Sequence, residues 1–438
     1  MDIKEVRNYI SDFQRIPLPP AIPRELTVSG RESLINTIIG PRRAGKTYLL
    51  YQHMKLLEPA GVLYLNFEDT RLASVNFMDF PGIVKIHTEV TGKEPRHIFV
   101  DEPQNVASWE RGIRTLFDAG RYIITITGSS SKLLGSEIAT QLRGRGISHL
   151  LLPYSFREFL TSRGVETPKV IGTTDEAVLM KTLSEWLGFG GYPEVAKAQG
   201  DAEKMKILDT YKDLIIYRDV IERHKVKSPF LVKLLIEHMI ECFTKEFSIN
   251  SFYNLIKSRN IRSSKKTLYS YVSFIEDSVS FFMLEKWDAK LKERRLALKK
   301  VYLCDTGLAY RQREYVSKLM ENAVFLELRR KQNLDPEMEL YYWKDHQQKE
   351  VDFIIRRGKR TEKMVQVTYS DQRQDLKGRE IENLQAAAAQ LGCSSAEIIT
   401  WGYEGSETVP AAKPGGPEVR LVFVPLWKWL LGRQTPAT

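Results

Sequence analysis

The sequence predicts an α/β fold whose N-terminal third is a parallel sheet covered by helices. Three observations predict it. Between Ser33 and Leu152, short apolar runs alternate with helical stretches; they are Leu34 to Ile39, Val62 to Asn66, Ile98 to Val100 and Tyr122 to Thr127. Short buried strands in that alternation imply a parallel sheet with both faces covered. The first run leads into Gly40-Pro41-Arg42-Arg43-Ala44-Gly45-Lys46-Thr47, and the third ends in Asp101-Glu102.

The elements follow in chain order. The first thirty residues hold a polar helix and a proline-rich turn, Ile16-Pro17-Leu18-Pro19-Pro20, which no helix can continue through. The parallel-sheet core is expected over 31–155. Residues 156–235 read as a helical lid, interrupted by Gly188-Phe189-Gly190-Gly191-Tyr192-Pro193. Residues 236–312 read as short helices and a hairpin, and 313–438 return to mixed α/β. Val409 to Pro417, rich in Pro, Gly and Ala, reads as a surface loop.

A chain of 438 residues is too long for one ordinary core, so two to four domains are expected. With 42% hydrophobic and 27% charged residues, it has the composition of a folded soluble protein. The longest apolar candidate, Val419 to Leu431, is broken by Pro425 and Lys428 and predicts no membrane span. Met1 to Ile16 has no apolar core of a secretory signal. Cys242, Cys304 and Cys393 lie far apart, which suggests neither a metal site nor disulfides and fits a reducing cytoplasm. The net charge of +10 favours a polyanionic partner such as nucleic acid, or serves only solubility.

The motif Gly40 to Thr47 has P-loop spacing between a strand and a helix. Its glycines let the backbone curl so that successive N–H groups face phosphate oxygens. Lys46 places a cation on the β- and γ-phosphates, the Thr47 hydroxyl ligates Mg2+, and the helix that opens at Tyr48 presents its positive end to the same anion. Gly40, Pro41, Arg42, Arg43, Ala44, Gly45, Lys46, Thr47 and Tyr48 are therefore the residues expected to hold ATP. Asp101 is expected in the magnesium shell, and Glu102 is placed to polarise the attacking water. Gly128-Ser129-Ser130 ends the next strand, where the Ser130 hydroxyl can sense the γ-phosphate or hold the water. Asn66 meets Glu102 if their strands are neighbours. Arg145, or else Arg143, is the candidate guanidinium that a neighbouring subunit lends to phosphoryl transfer.

With these motifs the chain resembles the prokaryotic AAA-type ATPases that join a P-loop domain to a C-terminal winged-helix and nuclease-like region. Besides the nucleotide motifs, the matching stretches are Leu152 to Phe159, Gly190 to Glu194, Val301 to Gly307, Glu321 to Phe325 and Glu350 to Phe353. The resemblance runs from about residue 30 to the end. It implies an ATP- and Mg2+-dependent hydrolase that forms homo-oligomers, up to a hexameric ring.

Residues 249–304 read as a winged helix. Lys265 and Lys266 follow a serine cap at the start of its second helix, the end that faces base edges in helix-turn-helix proteins. A hairpin is expected from Val279 to Trp287 and back through Leu296 to Cys304. Lys290, Lys292, Arg294, Arg295, Lys299 and Lys300 lie in or beside its tip, a basic wing suited to phosphates. The last domain resembles a restriction-endonuclease fold, with Glu321 on an early helix and Asp352 before a strand. The positions that such a site gives to a second acid and a lysine hold Gln366 and Thr368. Cleavage is therefore the weakest of three expected functions. The first is ATP-dependent work on DNA, such as translocation or branch migration. The second is an ATP-driven switch acting on a protein partner, and the third an ATP-dependent nuclease.

Overall fold

The apolar runs of the N-terminal part become the strands they predict, with ends shifted by at most a residue. β1 (Ile35–Ile39), β2 (Val62–Asn66), β3 (His97–Asp101), β4 (Ile123–Gly128) and β5 (Gly146–Leu150) form one sheet in the order β2-β3-β4-β1-β5. All its pairings are parallel. Every residue of β1 and β4 is buried, which is why these strands read as unbroken apolar runs rather than as alternations. The helices α1 (Ile3–Arg15), α2 (Lys46–Met54), α3 (Phe80–Thr91) and α4 (Trp109–Asp118) accompany the sheet. α1 is capped by the Asp2 side chain, which accepts from the N–H groups of Lys4 and Glu5, and it buries Val6, Tyr9 and Ile10. The Asn66 N–H donates to the Tyr9 hydroxyl at 3.0 Å, which fastens α1 to the end of β2.

The computed structural model describes residues 1–28, 30, 32–130, 144–376, 378–412 and 418–433. Arg143, the second finger candidate, and Lys413 to Pro417 of the expected loop lie outside the described residues. The chain divides into two compact units. One is Met1–Pro153 with Asp277–Val279, and the other is Tyr154–Glu276 with Ser280–Thr438. Among the described residues no helix is long and apolar enough to cross a membrane.

The second unit opens with helices Phe156–Ser162, Thr173–Phe189, Pro193–Lys197 and Asp201–Leu214, then a π-helical stretch Ile215–Glu222 and helix Pro229–Glu241. Gly191 has no room for a side chain, because an added Cβ would lie 2.3 Å from the Tyr154 carbonyl oxygen. The buried Asp305 carboxylate accepts from the N–H groups of Gly191 and Gly307, which locks that glycine-rich turn. Helices Ile249–Ser258 and Lys265–Asp277 precede a small sheet in which β8 (Lys299–Leu303) lies between β6 (Glu246–Phe247) and β7 (Phe281–Leu284), antiparallel to both. The chain between β7 and β8 is not the bare hairpin expected. It carries a helical turn, Leu291–Leu296, closed by Arg294, which donates from Nε and Nη2 to the Asp288 carbonyl.

A six-stranded sheet completes the unit, in the order β13-β14-β12-β11-β10-β9. Its strands are β9 (Met338–Lys344), β10 (Glu350–Arg357), β11 (Arg360–Val367), β12 (Ser395–Thr400), β13 (Gly405–Val409) and β14 (Val419–Pro425). β11, β12 and β14 run parallel, and the others pair antiparallel. Helix Gly378–Leu391 packs Leu384, Ala387 and Ala388 into the same core as Ile354, Met364, Ile398 and Phe423.

Candidate active site

The loop after β1 has a shape that its sequence enforces. A Cβ on Gly40 would stand 1.9 Å from the Leu151 carbonyl oxygen, so only glycine fits there. Arg43 and Gly45 take left-handed backbone (φ 65° and 96°) on either side of Ala44, an alternation that makes a concave row of N–H groups. Arg24 holds the loop from behind, donating to the Ala44 carbonyl at 2.8 Å and to Leu152 at 2.6 Å. Sequence reading missed Arg24, because it follows a proline-rich stretch without periodicity.

Lys46, only 6% exposed, begins α2. Its Nζ donates to the carbonyls of Gly40 (3.1 Å) and Pro41 (3.2 Å) and lies 3.7 Å from Glu102 Oε1. A buried ammonium held by two neutral oxygens and one distant carboxylate gains from an arriving polyanion. Thr47 Oγ1 donates to Asp101 Oδ2 at 2.6 Å, Tyr64 OH to the same oxygen at 3.2 Å, and Thr127 Oγ1 to Asp101 Oδ1. Burial pushes the Asp101 carboxyl up, while the Thr127 and Thr47 hydroxyls pull it down. A divalent cation beside it favours the ionised form. The glycine-only loop, the buried ammonium and the hydroxyl–carboxylate pair fit a nucleoside triphosphate with Mg2+. Lys46 and the loop N–H groups would meet the phosphates, and Thr47 and Asp101 the metal.

Glu102, the residue after β3, has left-handed backbone (φ 51°), rare for a non-glycine residue and a form of strain that clusters at functional sites. Gln104 Nε2 and Ser129 Oγ (3.4 Å) both approach its Oε2. Ser129 therefore faces Glu102, whereas Ser130 Oγ donates to Asp277 Oδ1 at 2.7 Å. β2 and β3 are neighbours, yet Asn66 Oδ1 accepts from the Glu68 N–H at 3.0 Å. Arg42 lies 3.5 Å from Glu68, and Tyr48 is 45% exposed on α2. Arg145 pairs with Asp118 and directly precedes β5. Its neighbour Gly146 is opposite Ile35, the first residue of β1, so Arg145 is roughly 16 Å along the sheet from its own P-loop.

The basic residues of the second unit are less uniform than expected. Ser264 caps the helix that opens with Lys265 and Lys266, and both lysines are exposed. Lys292 and Arg295 are exposed as well. Arg294 is a correction. Its guanidinium lies 4.1 Å from the Trp287 ring and 4.9 Å from the Tyr341 ring, and it donates to the Tyr341 hydroxyl, so internal packing uses it. Lys300 is a second correction. It is 2% exposed, because its position on β8 turns it inward to buried carboxylates.

The sheet, the glycine-only loop and the Thr47–Asp101 pair make the first unit a P-loop nucleotide-binding domain. Residues 32–160 match the model of the AAA domain family. Residues 180–318 and 316–411 match two domains of unknown function, DUF8612 and DUF4143. An uncharacterized protein of Methanocaldococcus jannaschii is 35% identical over 416 residues, 94% of this chain and 91% of its own length. The chain belongs to the same family as that archaeal protein. An uncharacterized protein of Haemophilus influenzae is 29% identical over 335 residues, 74% of this chain and 80% of its own. A solved DNA polymerase III gamma subunit-related protein of Thermotoga maritima aligns at a TM-score of 0.24 with 9% identity, over 64% of this chain and 100% of that one.

Proposed function

We propose that this protein is an AAA-type ATPase that binds ATP with Mg2+ on the Gly40–Thr47 loop, hydrolyses it, and couples that cycle to DNA. The observation that carries hydrolysis is the convergence of Lys46, Thr47, Asp101 and Glu102 at the carboxyl ends of β1 and β3. Lys46 offsets charge on the β- and γ-phosphates, and Mg2+ supplies further charge neutralisation when bound. Glu102 orients a water and accepts its proton as the water oxygen bonds to the γ-phosphorus. The bond from that phosphorus to the β-bridging oxygen breaks, and ADP and phosphate leave. Ser129, 3.4 Å from Glu102, is the hydroxyl placed to hold that carboxylate.

The coupling to DNA rests on the exposed Lys265, Lys266, Lys292 and Arg295 and on the net charge of +10. In this reading 1–30 is an N-terminal segment, 31–155 the ATPase core, 156–235 a helical lid, 236–312 a winged helix and 313–438 a nuclease-like domain. The subunits assemble as a homo-oligomer in a reducing cytoplasm. Arg145 supports that assembly, because it lies too far along the sheet to serve its own loop. A second reading, an ATP-driven switch on a protein partner, is favoured by the Ser130–Asp277 hydrogen bond, an acceptor that a γ-phosphate would replace. The deciding experiment is phosphate release from ATP with and without duplex, single-stranded and branched DNA. Stimulation by one of these forms supports the DNA reading. A turnover that all three leave unchanged favours the switch, and no turnover at all sinks the ATPase reading.

A further inference from the structure

Lys300 is the most deeply buried lysine described, at 2% exposure. Its Nζ lies 2.7 Å from Glu350 Oε1, 3.0 Å from Glu321 Oε1 and 3.1 Å from Asp352 Oδ1. An ammonium has three N–H donors, and three carboxylate oxygens can take all of them. Those carboxylates are brought together by the fold. Glu321 stands on helix Val316–Leu334, and Glu350 and Asp352 occupy alternate positions on β10 and so share a face.

The surroundings fix this arrangement. The Val367 N–H donates to Asp352 Oδ2 at 3.0 Å, the Asp352 N–H to Gln366 Oε1 at 3.3 Å, and Tyr302 OH to Glu321 Oε1 at 2.7 Å. Lys344 Nζ lies 3.3 Å from Glu350 Oε2 and 2.9 Å from Glu246 Oε2. Four carboxylates, those of Glu246, Glu321, Glu350 and Asp352, thus surround two ammonium groups, those of Lys300 and Lys344.

Carboxylate oxygens from separate elements that converge on one point make the first shell that a hard divalent cation takes. Here the point is taken. We propose that Lys300 is a built-in cation: its ammonium fills a divalent-cation site formed by Glu321, Glu350 and Asp352, so that this centre binds no metal while Lys300 is in place. The sequence offers the carboxylates and conceals the ammonium, because Lys300 lies 52 residues before Asp352 and reads as part of a basic tip. The proposal is independent of the ATPase reading and holds or fails without nucleotide.

The test is a titration of full-length, nucleotide-free protein with Mn2+, free Mn2+ being read by electron paramagnetic resonance. The proteins are wild type, Lys300→Ala, Glu321→Gln, Asp352→Asn and the double variant Lys300→Ala with Glu321→Gln. Lys300→Ala is expected to bind one more Mn2+ per chain than wild type, at least about tenfold more tightly than any site the wild type has. Mn2+ should also raise its Tm, and the double variant should lose the added site. A wild-type Mn2+ site that disappears in Glu321→Gln overturns the proposal, as does a folded Lys300→Ala that gains none. Metal-dependent DNA cleavage by wild type that Asp352→Asn abolishes would also overturn it. If Lys300→Ala does not fold without metal, Mn2+ or the added Glu321→Gln change should restore folded yield, and failure of both rescues counts against the proposal.

Discussion

The Thr47 hydroxyl donates to the Asp101 carboxylate at 2.6 Å, joining the first turn of α2 to the last residue of β3, 54 positions along the chain. The strand between them in the sheet is β4, whose Thr127 donates to the other oxygen of the same carboxylate. Among the described residues, the Asp101 carboxylate is therefore held by hydroxyls, with no cation in direct contact.

That arrangement predicts the effect of Asp101→Asn. Burial raises the Asp101 carboxyl above its unfolded value, so between the two values the native state holds a proton that the unfolded state has lost. Stability then falls as pH rises through that window. Without nucleotide, Asp101→Asn should flatten this pH dependence and raise Tm by about 2 °C or more at neutral pH. It should also lose the extra Tm shift that Mg2+ adds to ATP. Thermal melts across pH, with and without Mg2+ and ATP, decide it; an unchanged Mg2+ effect would remove Asp101 from the metal shell.

Lys46→Ala should lower ATP turnover by about 100-fold or more, because the phosphates lose the one ammonium the loop aims at them. Phosphate release measures it. A turnover within a few-fold of wild type would dismiss the loop as the site.

Glu102→Gln should keep ATP affinity within about threefold while hydrolysis falls by roughly 10²–10⁴. The amide preserves the shape beside Gln104 and Ser129 and removes the proton acceptor. A binding titration run beside the turnover assay separates the effects. Parallel losses in both would make Glu102 a structural residue.

Arg145→Ala should spare ATP binding and slow turnover only in assembled protein, since the residue lies at the far end of β1 from its own loop. Mixing it with Lys46→Ala should recover part of the activity, because one interface then keeps both an intact loop and an intact guanidinium. Stable mixed oligomers with no recovery would exclude a finger in trans.

Replacing Lys292 and Arg295 by Ala should reduce the slope of log affinity against log salt for duplex DNA by about 1–2, similarly for unrelated sequences. Lys265 and Lys266 substitutions should alter sequence preference instead. Arg294→Ala should chiefly lower Tm, because its guanidinium stacks 4.1 Å from Trp287. Binding isotherms at several salt concentrations and melting curves test all three. Equal slopes throughout would favour the protein-partner switch.

The sequence by itself determined the parallel sheet, the glycine-bearing loop and the acidic end of β3, because each is written in a few consecutive residues. A run of buried β-branched residues specifies a central strand, and a loop that must approach another backbone specifies glycine. Only the tertiary structure decided the rest. It brought Arg24 to the Ala44 carbonyl, set Ser129 rather than Ser130 beside Glu102, and inserted β4 between β1 and β3. It also split one basic stretch into three fates, with Lys292 and Arg295 exposed, Arg294 stacked on Trp287, and Lys300 buried among carboxylates. The physical reason is that a local pattern records the period of the backbone and the polarity of a face. Whether a lysine is solvated or buried depends on partners up to 52 residues away, and no spacing along the chain encodes that distance.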